Sequence, residues 1–315
     1  MKYFLSCDWG TSSFRLRLVE TSSQSILAET ISAQGIAATY ALWREQDKLE
    51  RFAFYRIFLM QELSLLENKY GKIPNNAALI ISGMAASAVG MYELPYKQLP
   101  VKNITAELIT HTIPATGSFP HKMIFISGLR SSNDVMRGEE TILGGCDVAN
   151  STDEQLYIFP GTHSKHVIIQ NGMIKDFKTY MTGEVFQLLS SKSLLASSVE
   201  KKEFSFEHFE LFEQGIKDAS SGNLLNNIFH VRTNTLLDVL SKTENYMYLS
   251  GLVIGEELKS IAKENYLTIN IVSSGPLMEF YRKALAEIGL KNKLALIDAD
   301  KALIQGQHKI LEYIQ

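Results

Sequence analysis

Residues 7–20 read CDWGTSSFRLRLVE, in which a small polar turn, Gly10-Thr11-Ser12-Ser13, interrupts two apolar runs and Asp8 stands at its edge. A turn of this kind offers several backbone N–H groups and hydroxyls with no bulky side chain in the way, the makings of a phosphate cradle. Ordinary hairpins also favour Gly and Ser, and an Asp there also caps turn amides. A second copy weighs on the choice. PGTHSKHVIIQNG carries Gly161-Thr162-His163-Ser164 in the same strand–turn–strand setting, half a chain later. Two such turns could grip a polyphosphate from two sides. A carboxylate beside phosphates then calls for a divalent cation between them, so Asp8 is expected to position Mg2+ through water.

Other segments carry further chemistry. Ser273-Ser274-Gly275-Pro276 ends an apolar run and opens a helix, where a ligand can approach the backbone closely; a capped strand-to-helix loop fits equally well. Gly138-Glu139-Glu140 precedes an apolar helical run. The acids either favour the positive end of a helix dipole or supply a general base. Met181-Thr182-Gly183-Glu184 offers a hydroxyl and a carboxylate to a sugar-like substrate, or a helix cap. Arg15, Arg137 and Lys165 are cations for phosphate or a substrate carboxylate. His163 and His166, three residues apart on a strand, fall on opposite faces, which argues against a shared zinc site.

Positioning these groups requires an α/β chain. Strand-like runs occur at 3–7, 14–19, 25–31, 78–82, 123–127, 156–159, 165–170, 173–180, 268–273 and 293–297. Helical periodicity is clearest at 47–70, 224–240, 246–264, 278–288 and 302–313. On 14–19, alternation sets Phe14, Leu16 and Leu18 on one face, Arg15 and Arg17 on the other. Asn171-Gly172 marks a hairpin turn. The repeat predicts two related domains, at 1–137 and 138–315, joined without a Pro- or Ser-rich linker, the last helix packing back on the first domain.

Composition narrows the class. The 315 residues hold 31 Lys and Arg against 34 Asp and Glu, scattered rather than blocked, so neither a nucleic-acid nor a membrane footprint is expected. Cys7 and Cys146 lack metal or disulfide spacing. The apolar stretch 77–91 is broken by Ser82, Gly83 and Ser87, and no signal-peptide core precedes Asp8. A cytoplasmic protein is expected, with apolar surface on helices 224–240 or 246–264 for a homodimer.

Together these pieces resemble the sugar-kinase, Hsp70 and actin superfamily: DWGTSSFRLRL its first phosphate motif, PGTHSKHV its second, IVSSGPLMEFYRKAL its adenosine motif. More narrowly, the chain is similar to the 2-dehydro-3-deoxygalactonokinase family through DWGTSSFRLRL, SGMAASAVGMYELPY, NDVMRGEETILGG, FPGTHSKHV, KDFKTYMTGE, YLSGLVIGEEL and ALIQGQ, in order over nearly the whole chain. The resemblance implies two RNase-H-like domains closing on ATP, and phosphorylation of 2-dehydro-3-deoxy-D-galactonate at its 6-hydroxyl. It assigns Asp8 to Mg2+; Gly10, Thr11, Ser12, Arg15, Gly161 and Thr162 to phosphates; and Ser274, Gly275 and Pro276 to adenosine. Gly83, Met84, Ser87, Arg137, Lys165, Thr182 and Glu184 would lie near the substrate. Related carbohydrate kinases have Gly-Asp-Gln where this chain has Gly138-Glu139-Glu140, which makes Glu139 the base and leaves Glu140 as its rival. A kinase of another sugar acid, such as 2-dehydro-3-deoxygluconate, stays open, as does a non-catalytic actin-like nucleotide-binding regulator.

Overall fold

The computed structural model describes residues 1–46, 48–201, 208–290 and 293–314. They form two compact units: Met1–Ala149 with Gly172–Lys175 and Ala299–Gln315, and Asn150–Asn171 with Asp176–Asp298. Asp47, expected to open the first long helix, lies outside the described residues.

The first unit holds strands β1 (Tyr3–Trp9), β2 (Phe14–Glu20), β3 (Ile26–Ser32), β4 (Ala78–Gly83), β5 (Lys97–Gln98), β6 (Thr110–Ile113), β7 (Met123–Ile126), β8 (Leu129–Arg130) and β9 (Val135–Met136). Its helices are α1 (Ile36–Arg44), α2 (Arg51–Tyr70), α3 (Ile104–Glu107) and α4 (Glu139–Gly145). The main sheet runs β3-β2-β1-β4-β7-β6. β1, β2 and β3 are antiparallel neighbours, whereas β4 joins β1, and β7 joins β4, in parallel. Every residue of β4 and β7 is buried, which is why both read as unbroken apolar runs. β2 alternates instead: Phe14, Leu16 and Leu18 enter the core with Trp9, while α2 lays Tyr55, Phe58, Leu59, Leu63 and Leu66 over them.

The second sheet contains β10 (Gln155–Phe159), β11 (Ser164–Gln170), β12 (Met173–Tyr180, of which Met173–Lys175 cluster with the first unit), β13 (Ile269–Ser273) and β14 (Leu294–Asp298), in the order β12-β11-β10-β13-β14. The helices of the second unit are α5 (Thr182–Lys192), α6 (Phe209–Ser221), α7 (Leu224–Leu236), α8 (Lys242–Leu258) and α9 (Leu277–Glu287). β11 is antiparallel to β10, with β13 parallel on the other side. The Asn171-Gly172 turn has both residues at positive φ, 54° and 66°, as a tight hairpin requires. Both sheets thus share the order third, second, first and fourth strand, followed by a further parallel strand (β7 or β14), and the fold is α/β with two RNase-H-like halves.

The last helix, α10 (Ala299–Ile314), belongs to the first unit, burying Ala302, Leu303, Ile304, Gly306, Gln307, Ile310 and Leu311. α4 packs against it backbone to backbone: a Cβ on Gly306 would stand 1.9 Å from the Thr141 carbonyl oxygen, and one on Gly145 1.7 Å from that of Ala302. This contact carries the first unit to Ala149, past the boundary the sequence placed at residue 137. Gly306→Val should therefore lower the melting temperature by several degrees, since overpacking costs about 1–3 kcal/mol or more; an unchanged melting curve would contradict the packing.

α8 begins earlier than its periodicity suggested because Ser241 and Glu244 close a capping box. Its apolar residues lie inside the second unit, whereas α7 leaves Leu225 and Phe229 exposed. No helix among the described residues is long and apolar enough to cross a membrane.

Candidate active site

β1 carries Asp8 to the edge of the first turn, where Gly10 N–H donates to Ser13 O at 2.9 Å. The turn is backed by the start of α1: Ile36 N–H donates to Gly10 O at 2.9 Å and Ala37 N–H to Thr11 O at 3.1 Å. Gly35 is needed there, because a Cβ would stand 2.3 Å from Thr11 O. In the sheet Asp8 faces Arg15 on β2 and Ser82 on β4. The next residue on β4, Gly83, adopts φ +85°, and a Cβ on it would meet Trp9 O at 2.8 Å and Asp8 Oδ1 at 3.6 Å. Gly138, at φ +115°, packs onto Gly83 in turn, 3.4 Å from its Cα to an added Cβ. Two glycines without side chains thus bring the start of α4 up to the Asp8 strand end.

That juxtaposition distinguishes the two acids. Glu140 is fully buried; both carboxyl oxygens accept from Gly138 N–H at 2.8 Å, and Thr141 Oγ1 donates to Oε1 at 3.1 Å. Glu139 keeps exposed surface, and Oε2 accepts from Arg137 N–H at 3.2 Å. Burial, with Glu139 alongside, raises the Glu140 carboxyl from 4.5 to about 8. It is therefore protonated in the fold at neutral pH, which suits a buried strut more than a proton acceptor. Because the folded value exceeds the unfolded one, the stability this group contributes is complete below about pH 4.5 and is lost as pH rises through about 8. Glu140→Gln escapes that loss. Its unfolding free energy should gain on that of the wild type from pH 5 to pH 9, by up to a few kcal/mol; a difference independent of pH would refute the assignment.

Asp8 is also pushed above the usual carboxylate range. Burial is the main cause, countered by Arg15 and Arg17 and reinforced by Asp300 and Glu139. The two arginines of β2 behave differently. Arg17 is 3% exposed and locked, its Nε donating to Glu29 Oε1 at 2.5 Å and its Nη2 2.8 Å from Asp300 Oδ1. Arg15 is 36% exposed, with Nη1 3.5 Å from Asp8 Oδ2 and 3.6 Å from Asp300 Oδ1. Asp300, in the first turn of α10, escaped the sequence reading. The signal was available: two arginines on one strand face need carboxylate partners when buried. Gln307 on the same helix was equally unmarked. It is fully buried, donating to Cys7 O at 3.2 Å and Ser82 Oγ at 3.0 Å, next to Asp8 and Gly83.

The remaining first-unit candidates separate into packed and reachable groups. Met84 is half-buried against the core. Ser87 is buried, with Oγ lacking a hydrogen-bond partner among the described residues. Arg137 is buried, giving Nη2 to Leu94 O at 3.1 Å and stacking 4.2 Å above the Tyr96 ring, while Nε and Nη1 lack hydrogen-bond partners among the described residues.

In the second unit, Gly161 and exposed Thr162 form the other turn, and a Cβ on Gly161 would meet open space. α5 backs this turn as α1 backs the first. Glu184 N–H donates to Thr162 O at 3.0 Å, and a Cβ on Gly183 would stand 2.5 Å from Gly161 O. The Glu184 carboxylate reaches His163, whose Nε2 donates to Oε2 at 2.5 Å. Lys165 is buried, with Nζ donating to His163 O at 3.0 Å.

Beneath the turn, sequence reasoning missed a buried hub, Glu257 of α8. Ser164 Oγ and His166 Nε2 meet Oε1 at 2.7 and 2.8 Å; Tyr281 OH donates to Oε2 at 2.6 Å, and Thr182 Oγ1 also donates to Oε2. Burial acts to raise this carboxyl, but the bonds from His166, Thr182 and Tyr281 prevail and hold it low. The Thr182 hydroxyl is thus a support for the turn. Ser274, Gly275 and Pro276 connect β13 to α9, with Gly275 exposed at φ +79° and Ser274 Oγ 3.5 Å from Asp298 Oδ1.

The residues fit a phosphate ligand and Mg2+. Asp8 is a hard carboxylate with 27% of its side chain exposed, the donor type Mg2+ prefers. Glycine at 10 and at 161 keeps side-chain bulk off both turns.

Comparison with known proteins agrees. A family model described as 2-keto-3-deoxy-galactonokinase matches residues 8–310. A Rhizobium meliloti (strain 1021) protein carrying the name of a 2-dehydro-3-deoxygalactonokinase is 30% identical over 312 residues, 96% of this chain and 95% of its own. The 2-dehydro-3-deoxygalactonokinase of Escherichia coli (strain K12) is 32% identical over 221 residues, 67% of this chain and 71% of its own. A crystal structure from Sinorhizobium meliloti, described under the same enzyme name, superposes with TM-score 0.82 at 28% identity, covering 99% of this chain and 97% of that one. The chain belongs to the 2-keto-3-deoxy-galactonokinase family.

Proposed function

We propose that the chain transfers the γ-phosphoryl group of ATP to the 6-hydroxyl of 2-dehydro-3-deoxy-D-galactonate, a step of galactonate breakdown. The observation that carries this reading is the family match from residue 8 to residue 310, which takes in both turns and Glu139. The meeting of Asp8, Gly83 and Gly138, which sets Glu139 beside a phosphate turn, supports it chemically.

In the mechanism, Glu139 accepts the proton of the 6-hydroxyl as its oxygen bonds to the γ-phosphorus and the bond to the β-phosphate oxygen breaks, releasing ADP. The transition state is loose, so catalysis rests on positioning and charge neutralisation. Gly10, Thr11, Ser12, Gly161 and Thr162 would hold phosphates. Asp8 would hold Mg2+, which neutralises phosphate charge when bound. Ser274, Gly275 and Pro276 would border the adenosine. Gly83, Ser87 and the cations Arg15, Arg137 and Lys165 remain the candidates for the sugar acid and its carboxylate.

The product tests the assignment. Phosphorus NMR should show the new phosphate coupled to the two hydrogens of a terminal CH2; coupling to a single CH would overturn the proposed position.

A further inference from the structure

We infer that His163, oriented by Glu184, is a phosphate-binding residue of the second turn, contacting ATP through its Nδ1 edge; the inference rests on the kinase reading above.

The internal repeat separates what builds a turn from what is added to it. By sequence, Ser12 is the counterpart of His163. By backbone hydrogen bonding, Ala37 is the counterpart of Glu184, since its N–H donates to Thr11 O at 3.1 Å as that of Glu184 donates to Thr162 O at 3.0 Å. The first turn therefore closes with a serine and an alanine where the second has an imidazole and a carboxylate. The pair is not needed to make the turn. Nor does it anchor the turn, which Ser164, Thr182 and Glu257 already do from below.

The chemistry of the pair points outward. A carboxylate only accepts, so Nε2 carries the proton that meets Glu184 Oε2 at 2.5 Å. This fixes the ring and leaves Nδ1 without a hydrogen bond among the described residues. His163 and Glu184 are 36% and 38% exposed, so a ligand on Thr162 can reach the ring. Charge points the same way. Asp8 has Phe159 as its counterpart, two residues before Gly161, so the second turn lacks the acid that makes the first a cation site. A protonated ring would donate from Nδ1 to a phosphate oxygen while Glu184 offsets its charge from behind. The charged groups facing it are Glu184 from α5 and Lys165 from its own strand, the latter held at His163 O.

The test is ATP affinity measured by direct titration without sugar acid, alongside kcat, KM and the melting curve. His163→Gln should weaken ATP binding roughly ten- to a hundredfold, the ordinary value of one charge-assisted hydrogen bond, with an unchanged melting temperature. His163→Lys should recover most of that affinity, and Glu184→Gln should lose part of it. Wild-type affinity in folded His163→Gln, or no recovery in folded His163→Lys, would overturn the inference and leave the kinase reading standing. Absence of ATP binding by the wild type would overturn both.

Discussion

Glu139→Gln is expected to lower kcat by at least about a hundredfold while leaving ATP affinity nearly unchanged, since a positioned general base contributes roughly 10²–10⁴-fold. The amide keeps the shape and the acceptor for Arg137 N–H, so the loss isolates proton transfer. The matching variant one residue on separates base from strut. Glu140 has no exposed surface and is held neutral by burial, so Glu140→Gln should turn over ATP within a few-fold of wild type while changing the pH dependence of stability. Near-wild-type kcat in Glu139→Gln, with a collapse in Glu140→Gln, would reverse the two roles.

Asp8→Asn should have the second large effect. Its carboxylate stands at the edge of the first turn, and the Asn side chain cannot replace its charge. We expect kcat to fall roughly 10²–10³-fold, the scale of losing one well-placed electrostatic group, and half-saturating Mg2+ to rise by at least about tenfold. Folding should not suffer. Burial already disfavours the charged form of Asp8, and Arg15 keeps Asp300 as a partner. Turnover within tenfold of wild type at ordinary Mg2+ would remove Asp8 from the mechanism.

What could be read from the sequence was whatever depends on neighbours along the chain. The alternation of Phe14, Arg15, Leu16 and Arg17 gave the buried and polar faces of β2, and Asn171-Gly172 gave the hairpin between β11 and β12. The two Gly-Thr-x-Ser turns announced the repeated strand–turn–strand unit, seen as β1-β2 and β10-β11. Of the helices that back those turns, the start of α5 was marked at Met181-Thr182-Gly183-Glu184, whereas α1 was not found, because its nine residues lack a long periodic stretch. The pairings that tune the site were hidden for a different reason. Asp300 meets Arg17, and Gln307 meets Cys7, across nearly the whole chain; Glu257 gathers Ser164, His166, Thr182 and Tyr281 from three elements. No local period encodes such contacts. Arg15 shows the gain in definition: the family resemblance implied a phosphate contact, and the fold sets its guanidinium between Asp8 and Asp300.

ATP consumption measured against a panel of 2-keto-3-deoxy sugar acids, scored by kcat/KM, tests the central claim most directly. The account predicts strong stimulation, with 2-dehydro-3-deoxy-D-galactonate ahead of its C4 epimer 2-dehydro-3-deoxygluconate. A preference for the epimer would correct the substrate. No stimulation by any sugar acid would contradict the kinase assignment and favour a nucleotide-binding regulator.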